Sequence, residues 1–159
     1  GRFRAEKRVD LLLEAWRSAG APGLLTIAGD GPQRKRTEAL ADAGGPSVEL
    51  VGHVDDPALL LRQAAVFVLP SDAEGMSNAL LEAMAWGLAC VATWVGGNID
   101  TLGPELPEPP PPGGYARGSA GLLVRRISQA GDLVRQAGDR PGRSAAASTT
   151  HRPALGRLI

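Results

Sequence analysis

The chain has 159 residues with 17 basic and 17 acidic side chains, enough for one well-cored domain and too short for two large ones. The zero net charge hides an asymmetry, because residues 1–116 carry nine Lys/Arg against fifteen Asp/Glu and residues 117–159 carry eight against two. Those late arginines stand among Ala, Gly, Ser and Pro with no aromatic residue to stack on bases, which argues against nucleic acid, while the single Cys90 excludes an internal disulfide and no run approaches the roughly 18 apolar residues of a membrane span.

Val9, Leu12, Leu13 and Trp16 recur at helical spacing and predict an amphipathic helix over 7–19. Residues 24–28 form a short apolar run, a buried strand. Gly29-Asp30-Gly31-Pro32 then turns the chain, with the proline suited to a first helical position, and a helix is expected through Ala43. A strand follows at 47–51. Asp55-Asp56-Pro57 is a cap-plus-proline signal for a short helix through Gln63. A further strand covers 65–69, and Ser77 or Asn78 caps a helix ending near Gly87. The strand at 88–93 is closed by Gly96-Gly97. Alternating strands and helices at this spacing suit right-handed crossovers, so an α/β fold with a parallel sheet is expected, its first strand cut away with Gly1-Arg2-Phe3 as the last trace. Six prolines between Pro104 and Pro112 read as an extended, solvated stretch without a core to bury. A strand at 121–124 and a helix at 127–137 resume the pattern, and 138–159 reads as a disordered tail.

Glu74 and Glu82 stand eight residues apart where a strand passes through a tight turn into a helix, the place where open α/β sheets bind phosphorylated ligands. Two readings stand open: a functional carboxylate pair, or a capping box formed by Ser71-x-x-Glu74 with Glu82 an ordinary surface acid. Arg2 and Lys7 likewise fit either a diphosphate grip or a solvated helix start. Gly29-Asp30-Gly31 is a weak dinucleotide match, because Arg34 stands where a third glycine is needed and Glu49 begins its strand rather than ending it. His53 has no partner at metal-ligand spacing, and Asp55-Asp56 is a cap rather than a metal site. Cys90 reads as a small core residue.

Residues 1–16, Ala28-Gly29-Asp30-Gly31-Pro32, Val51-Gly52-His53-Val54, the Glu74-x7-Glu82 segment and residues 91–98 together resemble, in unbroken order over about 1–102, the C-terminal half of a family 4 glycosyltransferase with the GT-B fold. The resemblance implies a Rossmann-like open parallel sheet with helices on both faces that holds a nucleotide-sugar donor. It further implies that Arg2 and Lys7 grip the diphosphate without a metal or other cofactor, and that Glu82 accepts from the ribose hydroxyls. By the same resemblance Glu74 faces the donor sugar, Gly75, Met76, Ser77 and Asn78 meet the sugar and phosphates, and His53 and Val54 frame the base. Retention of anomeric configuration is implied, as is a catalytic set of Glu74, Arg2 and Lys7.

Departures accompany it. Ala89 replaces a usual proline, and Asp100 stands where Glu is usual. The implied organisation is a donor domain over 1–102, a Pro/Gly-rich linker or insertion over 103–120, a residual strand and helix of the same domain over 121–137 and the tail over 138–159, with a deletion, insertion or frame shift expected within 103–159. The implied partners are the donor and an N-terminal acceptor-binding domain, with no nucleic acid, and the parent is compatible with peripheral membrane association. No segment reads as a signal peptide, so a cytoplasmic setting is expected. The alternatives are a non-catalytic or decayed nucleotide-sugar-binding module and, less favoured for want of catalytic acids, a sugar-nucleotide epimerase.

Overall fold

Side-chain alternation along the strands builds this fold. In the computed structural model, which describes residues 2–20, 23–43, 47–125 and 127 and the backbone of 157–158, Val66 and Val68 of strand β3 (Val66–Leu69) join one core cluster while Phe67 and Leu69 join another. Successive strand residues point to opposite faces, so both faces of the sheet are buried. The first cluster takes Leu12, Leu13, Ala15 and Trp16 of α1 (Val9–Ala19) and Ala41 of α2 (Arg34–Ala43). The second takes Leu61 of α3 (Ala58–Leu61), Leu80 and Ala83 of α4 (Asn78–Ala85) and Leu102 of α5 (Gly96–Leu102). Leu25, Leu80, Leu102 and Leu123 are fully buried, and burial of each such side chain contributes roughly 1.5–3 kcal/mol.

The other strands are β1 (Leu24–Ala28), β2 (Val48–Gly52), β4 (Ala89–Thr93), β5 (Tyr115–Arg117), β6 (Leu122–Val124) and β7 (Arg157–Leu158). Among the described residues they form one sheet in the order β2-β1-β7-β3-β4-β6-β5. Every neighbouring pair is parallel except β5, which runs antiparallel to β6 at the edge. Among the described residues the two-residue β7 pairs with Leu24, Leu25 and Val66, at the beginnings of β1 and β3. At the other end of β1, Arg2 forms a parallel bridge to Asp30, and the Phe3 amide donates to the Asp30 carbonyl at 2.7 Å.

The structure amends the sequence reading in several places. The first helix is divided, with a 3-10 turn over Ala5–Lys7 and Arg8 at φ 46° before α1 begins. Pro32 lies in the turn rather than at a first helical position, since α2 starts at Arg34. Gly96-Gly97 does not end a strand; it opens α5. The proline stretch is not wholly solvated: Pro110 is buried, Leu106 packs on the second cluster, and Glu105 accepts from the Ser119 amide at 2.6 Å, tying the stretch to the turn before β6. The tail expected to be disordered over 138–159 instead contributes β7, whose backbone is paired between β1 and β3; the rest of that tail and, save for Ile127, the helix expected at 127–137 lie outside the described residues.

Candidate functional site

At the carboxyl ends of β1 and β3, residues 2–8 are stitched between two turns. The Gln33 amide donates to the Phe3 carbonyl at 2.9 Å, and the Asp72 amide donates to the Glu6 carbonyl at 2.8 Å. Side chains add to this. Arg8 Nη1 reaches Asp72 Oδ2 at 2.8 Å, and Arg8 Nε reaches Asp10 Oδ1 at 3.1 Å. These bonds, the one to Asp72 foremost, raise the Arg8 guanidinium further above its ordinary value. They also hold Arg8 in a left-handed backbone conformation that non-glycine residues seldom adopt.

The same stitching delivers Lys7 to Glu74. Lys7 Nζ donates to Glu74 Oε1, and Ser71 Oγ donates to the same oxygen at 2.8 Å. The Ser71-x-x-Glu74 spacing is therefore no capping box, because no helix begins there. Ser77 caps α4 instead, its Oγ accepting from the Leu80 amide at 3.4 Å, which leaves Asn78 as the first helical residue. Gly75 and Met76 precede the helix and are exposed, Met76 at 77 %.

Arg2 and Lys7 meet Ser71 and Ser77 around a cavity of about 140 Å³ between β1 and β3, whose walls include Ile27 and Val68. A second cavity of about 330 Å³ lies beside it, bounded by Arg8, Asp10, Arg36 and Asp72. The structure thus brings Glu74, Lys7, Arg2 and Ser77 to one end of the sheet. Glu82 is exposed on α4. His53, exposed after β2, pairs with Asp55 at 3.2 Å, and Val54 beside it is half-buried. The cap position of α3 is Pro57, and ahead of it Asp56, not Asp55, accepts from the Ala58 amide at 3.0 Å.

Asp30 closes its own turn. Its Oδ1 accepts from the Gly31 amide at 2.7 Å and its Oδ2 pairs with Arg34 at 3.0 Å, and these bonds, the Gly31 amide first, hold its carboxyl below the ordinary value. The Gly29-Asp30-Gly31 segment is a side-chain-closed turn, in keeping with its poor match to a dinucleotide motif. Sequence reasoning missed Arg8, Asp10 and Asp72, whose charges look solvated until the fold joins them. Among the described residues no group of three or more His, Cys, Asp or Glu is arranged to hold a metal ion, and no helix is long and apolar enough to cross a membrane.

The model of the family described as glycosyl transferases group 1 matches residues 1–129. Over 132 residues the chain is 34% identical to a 2-deoxystreptamine N-acetyl-D-glucosaminyltransferase of Streptomyces fradiae, covering 79% of this chain and 30% of that protein. Sucrose-phosphate synthase from Thermosynechococcus elongatus superposes with a TM-score of 0.66 at 30% identity, covering 86% of this chain and 34% of its own. Anabaena HepE, crystallised with UDP, superposes with a TM-score of 0.68 at 18% identity, covering 86% and 36%, a likeness of fold. The chain spans about a third of the length of these relatives.

Proposed function

The chain belongs to the glycosyl transferases group 1 family and has the fold of a GT-B C-terminal domain, and from that premise we propose that it is the donor-binding part of a retaining, family 4 glycosyltransferase. The observation that carries this reading is the Lys7–Glu74 pair beside Arg2, a cation–carboxylate set at the carboxyl end of a parallel sheet. The donor is a nucleotide-diphosphate sugar. Arg2 and Lys7 neutralise its diphosphate, doing without a metal what the departing nucleotide requires as its negative charge grows. The start of α4, with Ser77 and Asn78, adds amide donors and the positive end of the helix dipole. Glu82 accepts from the ribose hydroxyls, His53 and Val54 frame the base, and Glu74 faces the sugar.

The whole enzyme moves a hexosyl group to an acceptor held by a second domain, whose closure excludes water from the reacting carbon. A cytoplasmic setting fits a nucleotide-sugar substrate. Uridine donors are the first to test, since HepE was also crystallised with UDP-glucose. Calorimetric titration of the chain with UDP-glucose, GDP-mannose and ADP-glucose, repeated on Glu82→Ala, checks the reading. Binding of one donor that weakens in Glu82→Ala is expected. Binding of none overturns the donor role, and equal binding by the variant overturns only the ribose contact.

A further inference from the structure

Beneath the loop that carries Glu74 runs a buried polar chain for which the donor contacts above give no task. Ser71 is fully buried, and its Oγ donates to Glu74 Oε1 at 2.8 Å. The Ser71 carbonyl in turn accepts from Thr93 Oγ1 at the end of β4. Asn98, fully buried in α5, donates through Nδ2 to the Thr93 carbonyl at 3.1 Å. Three polar side chains thus lie in a sheet end that apolar residues would fill without any need for hydrogen bonds. Burying such groups is unfavourable unless they are paired, and the paired atoms, which are all but Asn98 Oδ1, fix orientation.

The backbone obeys the same constraint. The Gly97 amide donates to the Glu74 carbonyl at 3.1 Å. A Cβ on Gly96 would stand 2.1 Å from the Glu74 carbonyl oxygen, and one on Gly97 would stand 2.0 Å from that of Gly75. Both contacts are to backbone, so any side chain there displaces the Glu74–Gly75 loop bodily. This close approach, together with the φ of +36° at Gly96, is why two glycines follow β4.

We propose that Ser71, Thr93 and the Gly96-Gly97 pair are positioning residues for Glu74, dedicated to the sugar end of the donor rather than to its nucleotide. Lys7 and Ser71 both engage Oε1, so Oε2 is the oxygen turned to a sugar hydroxyl. The inference rests on the donor reading above, and its test separates the two.

The Glu74 carboxylate carbon is followed by NMR in the ligand-free chain, with calorimetry on UDP-glucose, GDP-mannose and ADP-glucose, each beside its free nucleoside diphosphate. Ser71→Ala and the isosteric Thr93→Val are expected to move the Glu74 resonance, whereas Thr93→Ser, which keeps the hydroxyl, retains it. For the donor that binds, the first two variants are expected to lose about tenfold in affinity, with free nucleotide held within about twofold, the scale of one hydrogen bond to a charged group. A Glu74 resonance unmoved in both variants overturns the positioning role. A moved resonance with equal losses for donor and free nucleotide overturns the assignment to the sugar. Wild-type binding of no nucleotide removes the donor reading and with it the sugar, while the resonance still decides whether the chain holds Glu74.

Discussion

Lys7 and Glu74, 67 residues apart, form an ion pair in which the carboxylate side chain is only 9 % exposed and the ammonium 30 %. The asymmetry sets the sign of a mutational test. Removing Lys7 leaves a nearly buried charge with Ser71 as its main donor, whereas removing the charge of Glu74 leaves an ammonium that reaches water. Lys7→Met is therefore expected to destabilise the chain by about 1–2 kcal/mol, less than a fully buried pair because the site is partly wet. Glu74→Gln is expected to lose less, and the double variant to recover part of the Lys7→Met loss. Urea melts of all four proteins measure this; strict additivity would show that the pair contributes nothing.

Gly31 explains how Arg2 is kept beside Asp30. A Cβ at Gly31 would stand 2.8 Å from the Phe3 nitrogen and 2.9 Å from its carbonyl oxygen, at φ +153°. Alanine there must push the Arg2–Phe3 segment off the end of β1 and disturb Phe3, which is only 4 % exposed. Gly31→Ala is expected to cost about 2–4 kcal/mol, combining overpacking with backbone strain. Gly75→Ala, which meets nothing within 4 Å, is expected to cost less than about 1 kcal/mol. Thermal melting of both compares them directly, and equal losses would contradict the close approach.

Much of this architecture was legible in the sequence because a doubly covered sheet writes its strands as short apolar runs. The strands around Leu25, Leu50, Val68 and Val91 each lie within about a residue of the span their apolar runs predict. Among the elements that the sequence does not show, two are hidden for clear physical reasons. Helix α5 opens on Gly96-Gly97, a pair that signals a turn by propensity and is required here by the φ of +36° at Gly96 and by close tertiary contacts with Glu74 and Gly75. Strand β5 is a three-residue edge element, its Tyr115 and Arg117 exposed, and carries no run of buried residues to betray it. Of the candidate site, residue types at strand ends were legible, Glu74, Arg2 and Lys7 among them. That Lys7 and Ser71 converge on one oxygen of Glu74 was not, since spacing reports neighbours along an element and not across 67 residues.

The sequence left two caps open for α4, and the structure selects Ser77. Replacing it frees the Leu80 amide at the very terminus proposed to face the donor. Ser77→Ala is expected to cost about 1 kcal/mol, as N-cap losses generally do, with Ser77→Asp retaining most of the stability. Asn78→Ala, at the first helical position, is expected to change little. Denaturant midpoints of the three variants test the choice, and a larger loss at Asn78 would transfer the cap to that residue.

Asp10 offers a pH test of the network beside the site. Burial alone raises its carboxyl value, but Arg8, the Leu11 amide and Arg36 outweigh burial, and the net direction is downward. A carboxyl whose folded value lies below its unfolded value stabilises the fold wherever it is ionised in both states. That contribution is present in full above the unfolded value, near ~3.9, and is lost as pH falls through the lower folded value. Asp10→Asn is therefore expected to be less stable than the parent at pH ~7, with the gap unchanged down to about pH 5 and closing below about pH 4. Arg8 stays charged throughout, so the closing gap belongs to the carboxylate. Urea melts of both proteins at intervals between neutral and strongly acid pH measure it; a gap of constant size through the acid range would mean that Asp10 acts by packing and not by its charge.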